Sequence, residues 1–281
     1  MRATSYITIL ILSISFASQA SAQKLYVNIH YGYGLSAAPN YLHAVDSYDS
    51  TINTGSIKYI KGSGSLGAGS QFGATIGYVF SANISAELGI GYLSGKSIFD
   101  DYWKFVSNDN YKTKGSSLSG SMFRINPSIK ISCGTKKISP YLKTGIILGI
   151  ASRITSYSKT VDVHPLITEV EEQETKFSGR MTLGFSFGAG AQYSVNDKIG
   201  IFTEVLVITQ SWAPKKAELT KYTIYGLDQL PDMTTYEKEK EFVSSYSETT
   251  QNVDKTEPEK QLKVFFPFSS VGLNAGISYK L

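Results

Sequence analysis

Between Phe72 and Tyr92 the chain reads FGATIGYVFSANISAELGIGY, two runs of alternation joined by a short polar break. Phe72, Ala74, Ile76, Tyr78 and Phe80 share one parity. Gly73, Thr75 and Gly77 share the other, with Val79 the one apolar exception. After Ser81–Asn83 the pattern resumes, with Ile84, Ala86, Leu88, Ile90 and Tyr92 set against Ser85, Glu87, Gly89 and Gly91. A period of two belongs to extended strand, because successive side chains point to opposite faces. One face of this hairpin is bulky and apolar; the other is small and polar and carries one carboxylate. A sheet made of such units needs a different environment on each side.

The same alternation recurs to the last residue. The first segment is Lys24–Ser36, with Leu25, Val27, Ile29, Tyr31, Tyr33 and Leu35 on the apolar parity. The hairpin supplies the second and third. The fourth, Leu118–Ser132, sets Phe123, Ile125, Ile129 and Ile131 against Arg124, Asn126, Ser128 and Lys130. The fifth, Ile138–Ser152, sets Leu142, Ile146, Leu148 and Ile150 against Tyr141, Lys143, Gly145 and Gly149. Arg180–Val195, Lys198–Trp212 and Lys263–Leu281 complete a set of eight.

The connections between segments alternate in length. Ser81–Asn83, Cys133–Lys137 and Asn196–Asp197 are short, whereas Ala37–Leu66, Ser94–Ser117, Arg153–Gly179 and Ala213–Leu262 are long. An even number of strands, with short turns at one rim and long loops at the other, is the layout of transmembrane barrels of the bacterial outer membrane. Closure removes the sheet edges, which lipid does not tolerate. The expected fold is therefore all-β, an eight-stranded antiparallel up-and-down transmembrane barrel spanning 23–281.

The first 22 residues are set aside as a secretory signal peptide. Arg2 is a positive n-region, Ile7–Phe16 an apolar stretch too short to span a bilayer as a helix, and Ala20-Ser21-Ala22 a small-x-small cleavage site. The absence of a cysteine at that site argues against a lipoprotein anchor. Removing the signal takes away one charge, so the formal net charge falls from +4 to +3, too balanced to suggest a nucleic-acid partner. Cys133, the only cysteine, excludes an intrachain disulfide.

Charge indicates which face meets lipid. Over the alternating stretches, taking Val271–Leu281 for the last, the apolar parity carries no Asp, Glu, Lys or Arg, and a Lys or Arg there would cost about 2–4 kcal/mol near the midplane. The small parity carries Glu87, Arg124, Lys130, Lys143 and Glu204, which suits a narrow interior. Tyr31, Tyr33, Tyr78, Phe80, Tyr92, Tyr193 and Tyr279 fall towards strand ends, as interfacial girdles do. The inverted arrangement, a soluble lipocalin-like carrier, would put the aromatics inside. Pro127 breaks the pattern: it cannot donate a ladder hydrogen bond, and a bulge is expected there.

The stretches FGATIGYVFSANISAELGIGYL, FRINPSIKI and VGLNAGISYKL carry a resemblance. With them the chain resembles the small eight-stranded OmpA/OmpX-like proteins of Gram-negative bacteria, the outer membrane protein beta-barrel domain family. The resemblance implies a cell outer membrane location. It also implies a last strand that acts as an assembly signal, which Val271, Leu273, Ile277 and Tyr279 match; Leu281 departs from the family's terminal aromatic. Outer-membrane lipid and the barrel assembly machinery are then the expected partners. OmpA-like barrels hold interior salt bridges, so Glu87 and Glu204 are expected to pair with Arg124 and Lys143. The alternative is that each is hydrated separately in a wet lumen.

Catalysis finds little support. There are three histidines and no clustered pair of His or Cys with metal-ligand spacing. The His-x-Ser segment of outer-membrane lipid A deacylases has no counterpart in His30-Tyr31-Gly32, His43-Ala44-Val45 or His164-Pro165-Leu166. No catalytic residue, cofactor or metal is expected. The individuality lies in the long loops: the tyrosines at 41, 48 and 59, the mixed-charge run Glu237–Glu241, and strand-like composition at Thr220–Tyr225 and Phe242–Ser247, which is expected to extend a hairpin beyond the membrane. The leading expectation is a structural or surface-interaction role through extracellular loops, with a ligand there left open. A narrow porin-like pore, a lipid-modifying enzyme and a soluble carrier are the alternatives.

Overall fold

The computed structural model describes residues 25–37, 46–49, 58–61, 64–107, 110–133, 137–247 and 254–281. The expected signal peptide, Tyr41 and His43 lie outside the described residues. Eight strands form the frame: β1 Leu25–Ser36, β2 Gly69–Val79, β3 Ile84–Gly95, β4 Asn110–Ser132, β5 Ile138–Val163, β6 Thr182–Ser194, β7 Ile199–Trp212 and β8 Ser270–Lys280. Each is antiparallel to the next, and β8 returns to β1 from Tyr26↔Lys280 to Ser36↔Ser270. The pairings close on themselves as a ring of eight.

The apolar parity faces away from the ring. Ile29, Leu88, Ile90, Ile129, Leu142, Leu183, Leu273 and Ile277 are all half or more exposed. The small parity faces inward, where Asn28, Thr75, Glu87, Ser128, Lys130, Ser186, Glu204, Asn274 and Ser278 are buried. Glycine makes room for the few large interior side chains. A Cβ at Gly77 would overlap the Tyr26 ring, and one at Gly188 would stand 2.9 Å from a Glu204 carboxylate oxygen. Aromatic rows mark both ends of the outward band. Phe72, Tyr92 and Phe123 stand in register with centroids 5.5 and 4.8 Å apart, and Tyr78 meets Phe80 at 5.0 Å near the short-turn end.

The described short turns behave as expected. Asn196 accepts the backbone N–H groups of Lys198 and Ile199 at 2.9 and 2.7 Å, closing the β6–β7 turn. Strand is present at Thr220–Ile224 and at Phe242–Val243, within the two stretches of strand-like composition, but the long connections go beyond expectation, because most of their described length is strand. Above the ring, β4 and β5 stay paired up to Tyr111↔Val163. Ile98–Ser107 flanks β4, Thr168–Gly179 flanks β5, and Pro214–Ile224, Glu239–Val243 and Glu259–Leu262 continue the sheet, the last pair parallel. Above the lowest rungs, where Phe177 stacks on a buried Phe242, the sheet is half-exposed on both faces and has no reason to alternate, so its sequence lacks the signature the ring displays. Among the described residues no helix is long and apolar enough to cross a membrane.

Pro127 is accommodated without the expected bulge. Ile125↔Leu148 and Ser128↔Gly145 keep one register across it, and no bridge forms between them on the β5 side. The strand forgoes ladder contacts there and does not shift. The bulge lies one turn of the ladder higher. Between Phe123↔Ile150 and Ser121↔Arg153, β5 carries one extra residue, and Ala151 sits at φ 49° in the left-handed region. The extra residue inverts the parity of β5. Below it Leu142 and Ile146 face out; above it Arg153 faces out and Ile154 is fully buried.

The principal apolar cluster lies inside the ring at the long-connection end. Leu66, Leu93, Leu118, Met122, Ile154, Trp212, Phe266 and Phe268 pack together. Leu66 and Phe268 come from segments that dip into the mouth. The Leu66 N–H donates to the Pro267 carbonyl at 3.0 Å, and the Phe268 N–H donates to Gln210 at 2.8 Å.

Candidate functional site

The interior polar groups sort into levels along the ring. Nearest the short turns, Lys130 donates to Gln192 Oε1 at 3.1 Å and stands over the Tyr141 ring at 4.2 Å and the Tyr26 ring at 5.5 Å. Such cation–π contacts strengthen when desolvated. Tyr26 Oη donates to Glu87 Oε1 at 2.6 Å. At the next level Lys143 joins both carboxylates, 2.8 Å from Glu204 Oε2 and 3.8 Å from Glu87 Oε2, while Lys130 lies 3.9 Å from Glu87 Oε1. Asn274 then donates to Glu204 Oε1 at 3.4 Å and accepts from Gln71 at 3.0 Å. Two carboxylates and two ammonium groups thus share one buried belt, and confinement is what makes the pairing necessary.

The structure brings Glu87, Glu204 and Lys143 together and adds Lys130. It does not bring Arg124 to them. Arg124 donates to Gln210 Oε1 at 3.2 Å and to the Phe268 carbonyl at 3.1 Å, just beneath the apolar cluster. Register is the reason. Glu87 faces Ser128, so Arg124 stands four residues further up β4, ~14 Å at strand rise. The sequence places Lys130 on the inward parity but cannot say which rung of β4 meets Glu87, and that rung decides the partner.

Between the belt and the apolar cluster lies a small cavity of about 60 Å³, with His30, Thr75, Asn126 and Asn274 on its polar wall and Ile147, Leu206 and Ile208 on its apolar one. It has room for a few water molecules. Below the belt, a cup of about 190 Å³ with Ser85, Ser139, Ser194 and Ser278 in its wall opens towards the short turns. The interior is therefore interrupted twice, by the charged belt and by the apolar cluster.

The C-terminal residues take the positions expected of the last strand. Val271, Leu273, Ile277 and Tyr279 face outward on β8, which is held between β7 and β1, and Leu281 follows with its N–H on the Leu25 carbonyl at 2.9 Å.

The extension carries its own ion pairs. Glu172 is held by Lys159 at 3.1 Å and Lys221 at 2.6 Å from the two neighbouring strands. Hydrogen bonds from Lys221, then Lys159 and Tyr157, pull its carboxyl down to about 2. His164 pairs with Asp162 at 3.2 Å. Among the described residues no group of His, Cys, Asp or Glu is arranged to hold a metal ion. Glu237, in the mixed-charge run, caps a one-turn helix by accepting from the Thr234 N–H at 2.7 Å.

The family model for the outer membrane protein beta-barrel domain matches residues 7–224, more than three-quarters of the chain. The chain belongs to the outer membrane protein beta-barrel domain family. Its location is the outer membrane. The matched region ends before β8, which the fold adds to close the ring. Among solved structures, the outer membrane protease OmpT from Escherichia coli is similar at 8% identity, covering 94% of this chain and 99% of that one, with a TM-score of 0.26. No curated protein matches the chain.

Proposed function

We propose that this family member is an eight-stranded transmembrane barrel that works through its exposed sheet extension, as a structural or surface-interaction component of a Gram-negative envelope, and not as a pore or an enzyme. The observation that carries this reading is the doubly interrupted interior. The Glu87–Lys130–Lys143–Glu204 belt fills the middle, and Leu66, Met122, Phe268 and Trp212, each 2% exposed or less, fill the mouth. Opening a path would expose that apolar cluster and separate buried charges, each of which is costly. The outward faces support membrane burial of the ring. The nine residues from Phe123 to Ile131 rise ~27 Å along β4, which at a tilt of about 35–45° spans ~19–22 Å, most of an apolar band of about 25 Å.

Outer-membrane lipid, the assembly machinery and a partner at the extension follow from this reading as the contacts to look for. The experiment is reconstitution followed by two measurements on one sample. Anomalous migration before boiling reports the inserted barrel, and single-channel recording reports the lumen. We expect heat-modifiable migration with no steady conductance. Stable unitary currents from the wild-type protein would replace this reading with the narrow pore. Recovery of the protein only in soluble fractions would replace it with the carrier.

A further inference from the structure

On the outer face of the ring, directly above the aromatic row, lies a depression of about 550 Å³ walled mostly by hydroxyl and cationic side chains, with Ile154 and Phe177 also in its lining. The register explains it. Phe72, Tyr92, Phe123 and Ile150 form one row across β2 to β5; the next row up reads Ser94, Ser121, Arg153, Ser178. The row above that reads Ser119, Thr155, Lys176. Lys176 is thus the diagonal neighbour of Arg153, a separation of about 7–8 Å between backbones that both long side chains can bridge. Arg153 is exposed and makes no ion pair among the described residues, and Lys176 is held only from the far side, by Glu174 at 3.1 Å.

We propose that this depression binds the phosphate group of a membrane lipid in the leaflet around the long-connection rim. The proposal rests on the barrel reading above. The chemistry is that of an anion site at an interface: a guanidinium able to form two parallel hydrogen bonds to phosphate, an ammonium beside it, and hydroxyls at 119, 121, 155 and 178 to take the remaining oxygens. The placement is that of a lipid headgroup and not of a free anion. Arg153 sits two to three residues above Phe123 and Ile150, ~7 Å along the strand, so acyl chains below it would lie on the outward apolar band. The bulge at Ala151 creates the site, because without the extra residue Arg153 would point into the ring.

The test uses the full mature protein in phosphatidylcholine vesicles doped with diphosphoryl lipid A, or with the same lipid after phosphatase treatment. Lipid retained on the extracted, still-folded protein is read by native mass spectrometry. The wild type should retain the phosphorylated lipid and not the dephosphorylated one. Arg153→Ala and Lys176→Ala should each lower retention about fivefold, and Lys112→Ala, far up the extension, should not. Equal retention of the two lipids, or unchanged retention in the double variant, overturns the site. Complete displacement by millimolar inorganic phosphate overturns the lipid as its ligand. Migration before boiling on the same samples separates the failures: a folded barrel that retains no lipid sinks this inference alone, while a chain that never inserts sinks the barrel reading with it.

Discussion

Lys130 and Lys143 stand directly opposite one another on β4 and β5, and the Glu87 carboxylate lies between their ammonium groups at 3.9 and 3.8 Å. Like charges facing across a ladder repel, and here a third strand supplies the charge that lets them coexist. Glu87 is therefore a tie across three strands of the ring.

Glu87→Gln should destabilise the folded barrel by about 3 kcal/mol, towards the lower end for a broken buried pair because Lys143 keeps Glu204. Lys143→Met should cost more, since it leaves both carboxylates short of a partner. Urea titration followed by migration before boiling gives the order. Arg124→Met should lose about 1–3 kcal/mol through Gln210 and the Phe268 carbonyl. Combined with Glu87→Gln it should add within about 0.5 kcal/mol. A strong coupling would return Arg124 to the belt.

Phe268→Ala should remove about 3–5 kcal/mol by leaving a void among Leu66, Met122 and Trp212. It should not by itself open a conducting path, because the belt below stays intact. Conductance should rise only when Phe268→Ala is joined to Lys143→Met. Bilayer recordings of the two variants decide whether the barriers act in series.

The Glu172 carboxyl, drawn down to about 2 by Lys221 and Lys159, sets a pH window for the extension. Its folded value lies below the ordinary 4.5, so its contribution is complete above pH 4.5 and fades as pH falls towards 2. The carboxylate signal in an NMR titration should have its midpoint near 2 and move up towards, but not fully to, 4.5 in Lys221→Met combined with Lys159→Met, because the Tyr157 hydrogen bond remains. A wild-type midpoint near 4.5 would remove the argument.

Cys133 is exposed just past the end of β4, at the short-turn rim, and is the chain's single thiol. A membrane-impermeant maleimide should leave it unlabelled in intact cells and label it after the outer membrane is permeabilised. Cys133→Ser with Tyr225→Cys, at the tip of the extension, should label in both. The reverse pattern would place the extension on the inner side.

The sequence made the eight ring strands readable because lipid on one side and a crowded interior on the other write alternation into every segment. Ile29, Leu88 and Leu273 declare the outside as clearly as Thr75, Glu87 and Ser278 declare the inside. The extension was legible only at Thr220–Ile224 and Phe242–Val243, and the rest was hidden for the same physical reason reversed. In Thr168–Gly179 only Phe177 packs on the apolar cluster; the residues above it are half-exposed on both faces, so strand and loop look alike in composition. The belt was half legible: parity identified its members, but only register could exchange Arg124 for Lys130. Pro127 misled because the lost ladder contacts could be absorbed in place, without the shift of register expected there.

The surplus residue at Ala151 has a wider consequence. On the transmembrane reading proposed above it marks the waterline of β5, with hydrocarbon constraining what lies beneath; whatever lies above starts its inside–outside count afresh. A chain with such a reset can lengthen, shorten or re-decorate its upper sheet over generations while the greasy cylinder keeps its alignment, so novelty at the surface need not be negotiated with the membrane.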